Sequence, residues 1–491
     1  MAQFSGAVKL ADLNDFIAPS QACVVNIHGK KEGNIKLDFD ALDKPPEKAS
    51  KLINIMSLQD CLACSGCVTS AETVLLEHQS AAEFMSKLAD PGVTVVVSVS
   101  PQSRTALAAF YGLSPAETLQ KLTGFFKGLG VRAVLDTSTG RDFALLEAAA
   151  EFVQRYREAH PELAGESMPS LPMLASACPG WVCYAEKTHG DYVLPHISST
   201  KSPQASPQLY KFPANTPSIT SLFAVMGTLV KRHLAAQWGL QPGQVYHCAI
   251  MPCYDKKLEA SREDFNVPGT SVAEVDSVLT SGEVQLMLEV HGRPLGELPS
   301  ARLDSLVGSA PEDGQLYGLP GGSGGYLEYI FRAAAAQLFG KEVEAGPLPL
   351  RTLRNADFQE VSLDVGGRPA LRFAIAYGFR NIQTLVRKIK RGASEYDYVE
   401  IMACPSGCLN GGGQIKPQPG QSSQQLLDEL DAIYHDPQAC VVPRLPQDNP
   451  TVAALYERWV GAPVGSEQGR QLFFTEYHKR DKSIAATVGD W

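Results

Sequence analysis

Four cysteines stand where strand-like runs end. Leu171–Cys178 is apolar and stops at Cys178-Pro179, Val245–Cys253 stops at Pro252-Cys253, and Tyr398–Ala403 stops at Cys404-Pro405, three residues before Cys408. Proline cannot continue a central strand, so each run is expected to turn at its cysteine. Gly411-Gly412-Gly413 then strips the side chains from one turn, which lets backbone approach something bulky. In open α/β sheets ligands collect outside the carboxyl ends of strands. Three such ends delivering Cys178, Cys253, Cys404 and Cys408 make a four-thiolate site, and that donor set suits an iron–sulfur cluster. A pair of buried cysteines in a glycine turn is the bland alternative, but it leaves the repetition of the pattern at three strand ends unexplained.

A second set lies near the start. Cys61, Cys64 and Cys67 have the C-x2-C-x2-C spacing of a ferredoxin run, which grips three irons of a [4Fe–4S] cube from one turn. A ferredoxin run would continue to Cys-Pro, whereas Val68-Thr69-Ser70 follows here, and the run is not repeated. Cys23 is the remaining cysteine of this segment and is expected to be the fourth ligand, rather than a small buried hydrophobe in its apolar stretch. A zinc knuckle is the rival for the triplet, but zinc usually takes paired C-x2-C arms set far apart.

The elements that must position these thiols follow from the pattern between them. The stretch 92–100 is β-branched and fits a buried parallel strand. Helical stretches over 116–130 and 142–159 alternate with strand-like runs at 131–140 and 171–178, the spacing of βαβ units. A Pro- and Ser-rich stretch at 196–218 reads as a long loop and a lobe boundary. A long helix, the Cys253 strand, a strand-then-helix over 271–292 and a strand–turn–basic helix over 371–390 suggest a second series. Gly318–Glu328 is Gly-rich and opens a helix. It lacks the Lys-Ser/Thr ending of a phosphate loop and is read as backbone made for close approach. The expected layout is an N-terminal cluster segment (1–90), a first α/β lobe (91–200), a second lobe (218–414) and a C-terminal wrap with a partner-binding tail (415–491).

Composition bounds the rest. A chain of 491 residues, 44% hydrophobic and 20% charged, can bury a sizeable core. Its net charge of −10, with no basic run interleaved with aromatics, argues against nucleic acid. The first residues lack a signal or presequence pattern, and no window carries about 18 apolar residues in a row, so neither secretion nor a membrane is expected. Eleven cysteines in a long chain of a reducing compartment, cytosol or nucleus, point to metal rather than disulfides. Cys183, Cys248 and Cys440 are expected to pack.

Taken together, Ala177–Trp181, Met251–Glu259 and Met402–Gln414 resemble the three signature motifs of iron-only hydrogenases. That resemblance implies two parallel-sheet lobes with a [4Fe–4S] cluster in the cleft between them, on Cys178, Cys253, Cys404 and Cys408. In those enzymes the cysteine matching Cys408 also bridges to a di-iron unit, the residue matching Lys256 contacts a cyanide ligand, and Met251 and Met402 are shared. Active enzymes carry a proton-relaying Cys where Ala177 stands, and Ala cannot transfer a proton. Lys256 is then expected to offset the negative charge of a thiolate-bound cluster. The single N-terminal Cys, the lone triplet, the three motifs and a C-terminal Trp together resemble a narrower branch. These are the eukaryotic hydrogenase-like cytosolic iron–sulfur assembly factors, related to nuclear prelamin A recognition factor. The resemblance spans nearly the whole chain. It implies two [4Fe–4S] clusters, a cytoplasmic and nuclear setting, and transfer of clusters from an early scaffold to a late targeting complex for client apoproteins. The resemblance implies that clients of that complex can carry a C-terminal apolar, acidic or Ser, aromatic tripeptide. Gly489-Asp490-Trp491 matches its last two positions, which makes Asp490 and Trp491 the expected partner contact. A working hydrogenase, a two-cluster electron carrier and a structural zinc protein are the alternatives.

Overall fold

The computed structural model describes residues 79–160, 171–198, 225–302, 304–306, 316–319, 323–344, 346–436 and 442–474. Cys23, Cys61, Cys64, Cys67, Cys440, Asp490, Trp491 and most of the 196–218 loop lie outside them. The strands in chain order are β1 (Thr94–Val99), β2 (Ala133–Asp136), β3 (Met173–Ala175), β4 (Val245–Met251), β5 (Ser277–Thr280), β6 (Tyr317–Gly318), β7 (Arg351–Thr352), β8 (Phe358–Val365), β9 (Arg368–Tyr377), β10 (Tyr398–Met402) and β11 (Val442–Pro443).

They form two main sheets. The first is all-parallel, in the order β2-β1-β4-β5. Its strands are near-continuous apolar runs because helices cover both faces. The helices Pro101–Tyr111, Pro115–Gly128 and Ser281–His291 pack through Leu107, Leu122, Phe126, Val284 and Leu288 onto β1 and its neighbours. The second sheet has the order β3-β10-β9-β8-β7, parallel across β3, β10 and β9 and antiparallel beyond. One of its faces packs on the long helix Ser138–Ala159 and the helix Tyr326–Phe339, with Phe152, Phe331, Phe373 and Tyr398 interlocked. The other carries the helices Pro179–Thr188 and Phe379–Lys390.

The two-lobed α/β expectation holds, but the chain crosses between the sheets. β3, from the stretch 91–200, pairs with β10 in the second sheet, whereas β4 and β5, from the stretch 218–414, pair with β1 in the first. Pro101 is the first helical residue after β1, with the Ser100 hydroxyl accepting the Ser103 N–H. The hairpin β8–β9 was not foreseen. Gly366 and Gly367 both have positive φ, 60° and 78°, the backbone of a two-residue hairpin turn. The C-terminal stretch wraps the helix Ser138–Ala159: Tyr456 stacks on Phe143 with centroids 5.1 Å apart, and Phe473 lies at 4.9 Å. Among the described residues no helix is long and apolar enough to cross a membrane.

Candidate metal centre

Each candidate ligand is set by a strand end. Cys178 follows β3 and caps the helix Pro179–Thr188, whose proline at the first position needs no N–H partner. Cys404 follows β10, the strand that pairs with β3, so the pairing itself brings the two cysteines to one end of the second sheet. Ser176 locks that end: its hydroxyl donates to Ile401 O at 2.6 Å and accepts from Cys178 N–H at 3.0 Å. The Ala403 N–H points at Cys178 Sγ, 3.5 Å away. Cys253 comes across from the first sheet, after β4 and just before the helix Asp255–Ala260.

Cys408 sits in the one-turn helix Gly407–Asn410 that the Cys404 turn leads into. That turn is held open in a strained shape. Ser406 has φ 58°, rare for a residue with a Cβ, and its N–H donates to Asp357 Oδ1 at 2.6 Å. Gly407 follows with φ 71°, and a Cβ there would lie 2.1 Å from Ser323 Oγ. Ser323 in turn accepts the Cys408 N–H at 3.3 Å. The Gly-rich turn before the helix Tyr326–Phe339 therefore backs the cysteine loop directly, as its composition suggested. The glycines after Cys408 do the same for Cys253. A Cβ on Gly411 would stand 2.3 Å from Pro252 O, one on Gly413 would be 3.2 Å from Cys253 Cα, and Gly413 N–H donates to Pro252 O at 2.8 Å.

The four thiols are neighbours by their electrostatics. Burial pushes Cys178 up to about 12, with the Asp255 carboxylate adding to it and the N–H groups of Trp181 and Ala403 opposing. Burial drives Cys404 well above the ordinary thiol value, and the charges of Cys178, Cys253 and Cys408 raise it further. Cys253 is raised by burial, Asp255, Cys178 and Cys408, against Lys256. Cys408 is raised by burial and eased by Lys256 and Ser323. Four thiols, Cys178 and Cys404 buried and Cys253 and Cys408 partly so, all raised above the ordinary value, need a cationic centre to become thiolates together. Among the described residues no three His, Cys, Asp or Glu side chains close on one point as the ligands of a single ion do. Soft sulfur donors, a backbone N–H aimed at sulfur and bare glycine backbone where a Cβ would clash fit an iron–sulfur cluster.

Around the thiols, Met251 and Met402 close the ends of β4 and β10 and are buried. Lys256 is buried with its Nζ 2.8 Å from Glu259 Oε2. Ala177 packs at the edge of the core beneath Cys178. Cys248 is buried inside β4 and Cys183 lies on the helix Pro179–Thr188, as expected of packing residues. Sequence reasoning missed Asp255, Ser176 and Ser323. Asp255 stands inside the Met251–Glu259 motif, in a charged stretch that gives no local sign of its burial.

The fold that carries these cysteines has known relatives. Residues 93–412 match the family described as "Iron only hydrogenase large subunit, C-terminal domain", and residues 425–480 match "Iron hydrogenase small subunit". A solved [FeFe]-hydrogenase, HydA1 from Chlamydomonas reinhardtii, superposes with a TM-score of 0.66 at 28% identity, covering 81% of this chain and 98% of that one. Protein NAR1 of Arabidopsis thaliana is 47% identical over 496 residues, covering 100% of this chain and 99% of that protein. Cytosolic iron-sulfur assembly component 3 of Mus musculus is 47% identical, with 99% of each chain covered. The cytosolic Fe-S cluster assembly factor narfl of Xenopus tropicalis is likewise 47% identical, with 99% of each covered.

The chain belongs to the cytosolic iron–sulfur cluster assembly factor family. Its fold is that of the iron-only hydrogenase large subunit, the expected class. In this chain the hydrogenase-like body is followed by the stretch that matches the small subunit, part of which wraps the helix Ser138–Ala159.

Proposed function

We propose that this protein carries two [4Fe–4S] clusters and passes clusters from a cytosolic scaffold to a late targeting complex serving cytosolic and nuclear apoproteins. The observation that carries the reading is the meeting of Cys178, Cys253, Cys404 and Cys408 at the ends of β3, β4 and β10, with Ala177 beside Cys178 in the chain. A hydrogenase needs a proton donor beside its reacting metal, and a methyl group supplies none. The buried cluster has a structural role. Cys23, Cys61, Cys64 and Cys67 hold the second cluster, the one that exchanges. Lys256, Met251 and Met402 surround the buried one, and Asp490 with Trp491 forms the contact to the targeting proteins. The segment 1–90, the two lobes 91–200 and 218–414, and the stretch 415–491 divide the work among cluster delivery, cluster housing and partner contact.

Anaerobic purification tests the cofactor: about eight iron and eight acid-labile sulfide per chain are expected for two cubes, and zinc without sulfide would sink the reading. An anaerobic pull-down from cytosol tests the pathway. The full chain is expected to retain the late targeting proteins and a chain lacking Trp491 to lose them. Retention by neither form, together with hydrogen evolution, would return the hydrogenase reading.

A further inference from the structure

One buried charge beside the metal centre has a consequence for its chemistry. Asp255 opens the helix that follows Cys253 and is 3% exposed. Its Oδ2 lies 3.0 Å from the point where a Cβ on Gly180 would stand, and Cys178 Sγ lies 3.8 Å from the same point. The carboxylate is thus wedged between the turn of Cys253, two residues away in the chain, and the thiol of Cys178, which comes from the other sheet. The next residue, Lys256, carries the opposite sign; it is buried on the same helix with its Nζ 2.8 Å from Glu259 Oε2.

We propose that Asp255 holds the reduction potential of the buried cluster low, so that this cluster stays at its oxidised level while the other one is exchanged. The inference rests on the reading of the four cysteines as cluster ligands. One-electron reduction makes and breaks no bond and moves no proton. It adds one negative charge to a unit that four thiolates already make anionic, and the potential of such a unit follows the net charge and hydrogen bonding around it. A fixed carboxylate in a low-dielectric site opposes that added charge, and a fixed ammonium favours it. Asp255 also stands at the start of the helix Pro179–Thr188, where a carboxylate favours the helix end. A purely structural role at that place is kept by asparagine, which caps as well as aspartate does.

The test uses the full-length chain carrying Cys61→Ala, Cys64→Ala and Cys67→Ala, reconstituted with iron and sulfide so that only the buried site reports. Dithionite supplies the electron and is oxidised to sulfite, and the midpoint is read from the paramagnetic signal of the reduced cluster. Asp255→Asn is expected to raise the midpoint, Asp255→Glu to leave it near that of the parent, and Lys256→Gln to lower it. An unchanged or lower midpoint in Asp255→Asn, with iron and sulfide content equal to the parent, overturns the inference and leaves the site standing. If Asp255→Asn takes up no cluster, Asp255→Ser replaces it with the same expectation, and failure of both neutral variants to load makes the role structural and overturns the inference. A parent that binds no cluster after loss of the three N-terminal cysteines overturns the site reading itself.

Discussion

At the scale of single residues, the glycines around Cys408 explain why the site is built from bare backbone. The Cys404–Gly413 turn must lie against the Cys253 turn from the other sheet, and the space between them admits no side chain. Gly411→Ala would force a methyl to within 2.3 Å of Pro252 O, a rigid backbone atom. Overpacking of this kind costs about 1–3 kcal/mol. The variant is expected to melt several degrees lower and to retain less iron at the buried site, as read by calorimetry and iron analysis. Gly128→Ala, where a Cβ would meet nothing within 4 Å, is the control. The four ligands were legible because cysteine beside proline at the end of an apolar run is a rare conjunction, and three instances of it are not explained by packing. Asp255 and Ser323 were not legible. An aspartate in a charged stretch reads as solvated, and a serine in a glycine-rich turn reads as filler. Their burial comes from contacts with residues far away in the chain, Gly180 for the first and Cys408 for the second.

Among elements, the contact between the C-terminal wrap and the helix Ser138–Ala159 depends on a buried acid. Glu147 Oε1 accepts the Tyr456 hydroxyl at 2.7 Å, and both carboxylate oxygens face the Gly465 N–H at 3.2–3.3 Å. Burial nevertheless pushes Glu147 up to about 7, and Glu151 adds to the push. A carboxyl whose folded value lies above its unfolded one binds the proton more tightly when folded. Its contribution to stability is full below about 4.5 and is lost as pH rises through about 7. The difference amounts to roughly 3 kcal/mol at alkaline pH. Glu147→Gln keeps an acceptor for Tyr456 and removes the charge. The variant is expected to match the parent near pH 4.5 and to melt higher at pH 8, and parallel melting curves across that range would refute the assignment. The parallel elements were read correctly because β-branched runs such as Thr94–Val99 carry their own propensity. The hairpin β8–β9 was passed over because only Phe358 and Val361 of β8 are buried, on the outer part of the second sheet, with no long apolar run to announce it. The Gly366-Gly367 pair was the available signal.

For the whole molecule, what the sequence could not show is how the chain threads the two sheets, because strand pairing is set by packing between segments that local pattern does not link. β3 is separated from β10 by more than 200 residues, yet their register, Tyr398 opposite Met173, is what places Cys404 beside Cys178. β4 crosses in the opposite sense to the first sheet and supplies Cys253. The consequence is that one cluster would bridge the two sheets, with three ligands on the second and one on the first. A group that binds only the folded state stabilises it in proportion to its binding free energy, and structural metal sites commonly draw folding free energy from their ligands. Cys253→Ala cuts the single tie to the first sheet, whereas Cys64→Ala touches only the N-terminal set. Calorimetry of anaerobically prepared protein is expected to show Cys253→Ala melting well below the parent, by more than the roughly 1–3 kcal/mol of a typical buried small-side-chain loss. Hydrogen exchange is expected to rise at the carboxyl ends of β4 and β10 together, since the same cluster holds both. Cys64→Ala is expected to keep the parent's main transition and to lose about half of the iron. Equal melting of Cys253→Ala and the parent would mean that packing alone joins the sheets, and that the buried cluster is a passenger in a fold already complete without it.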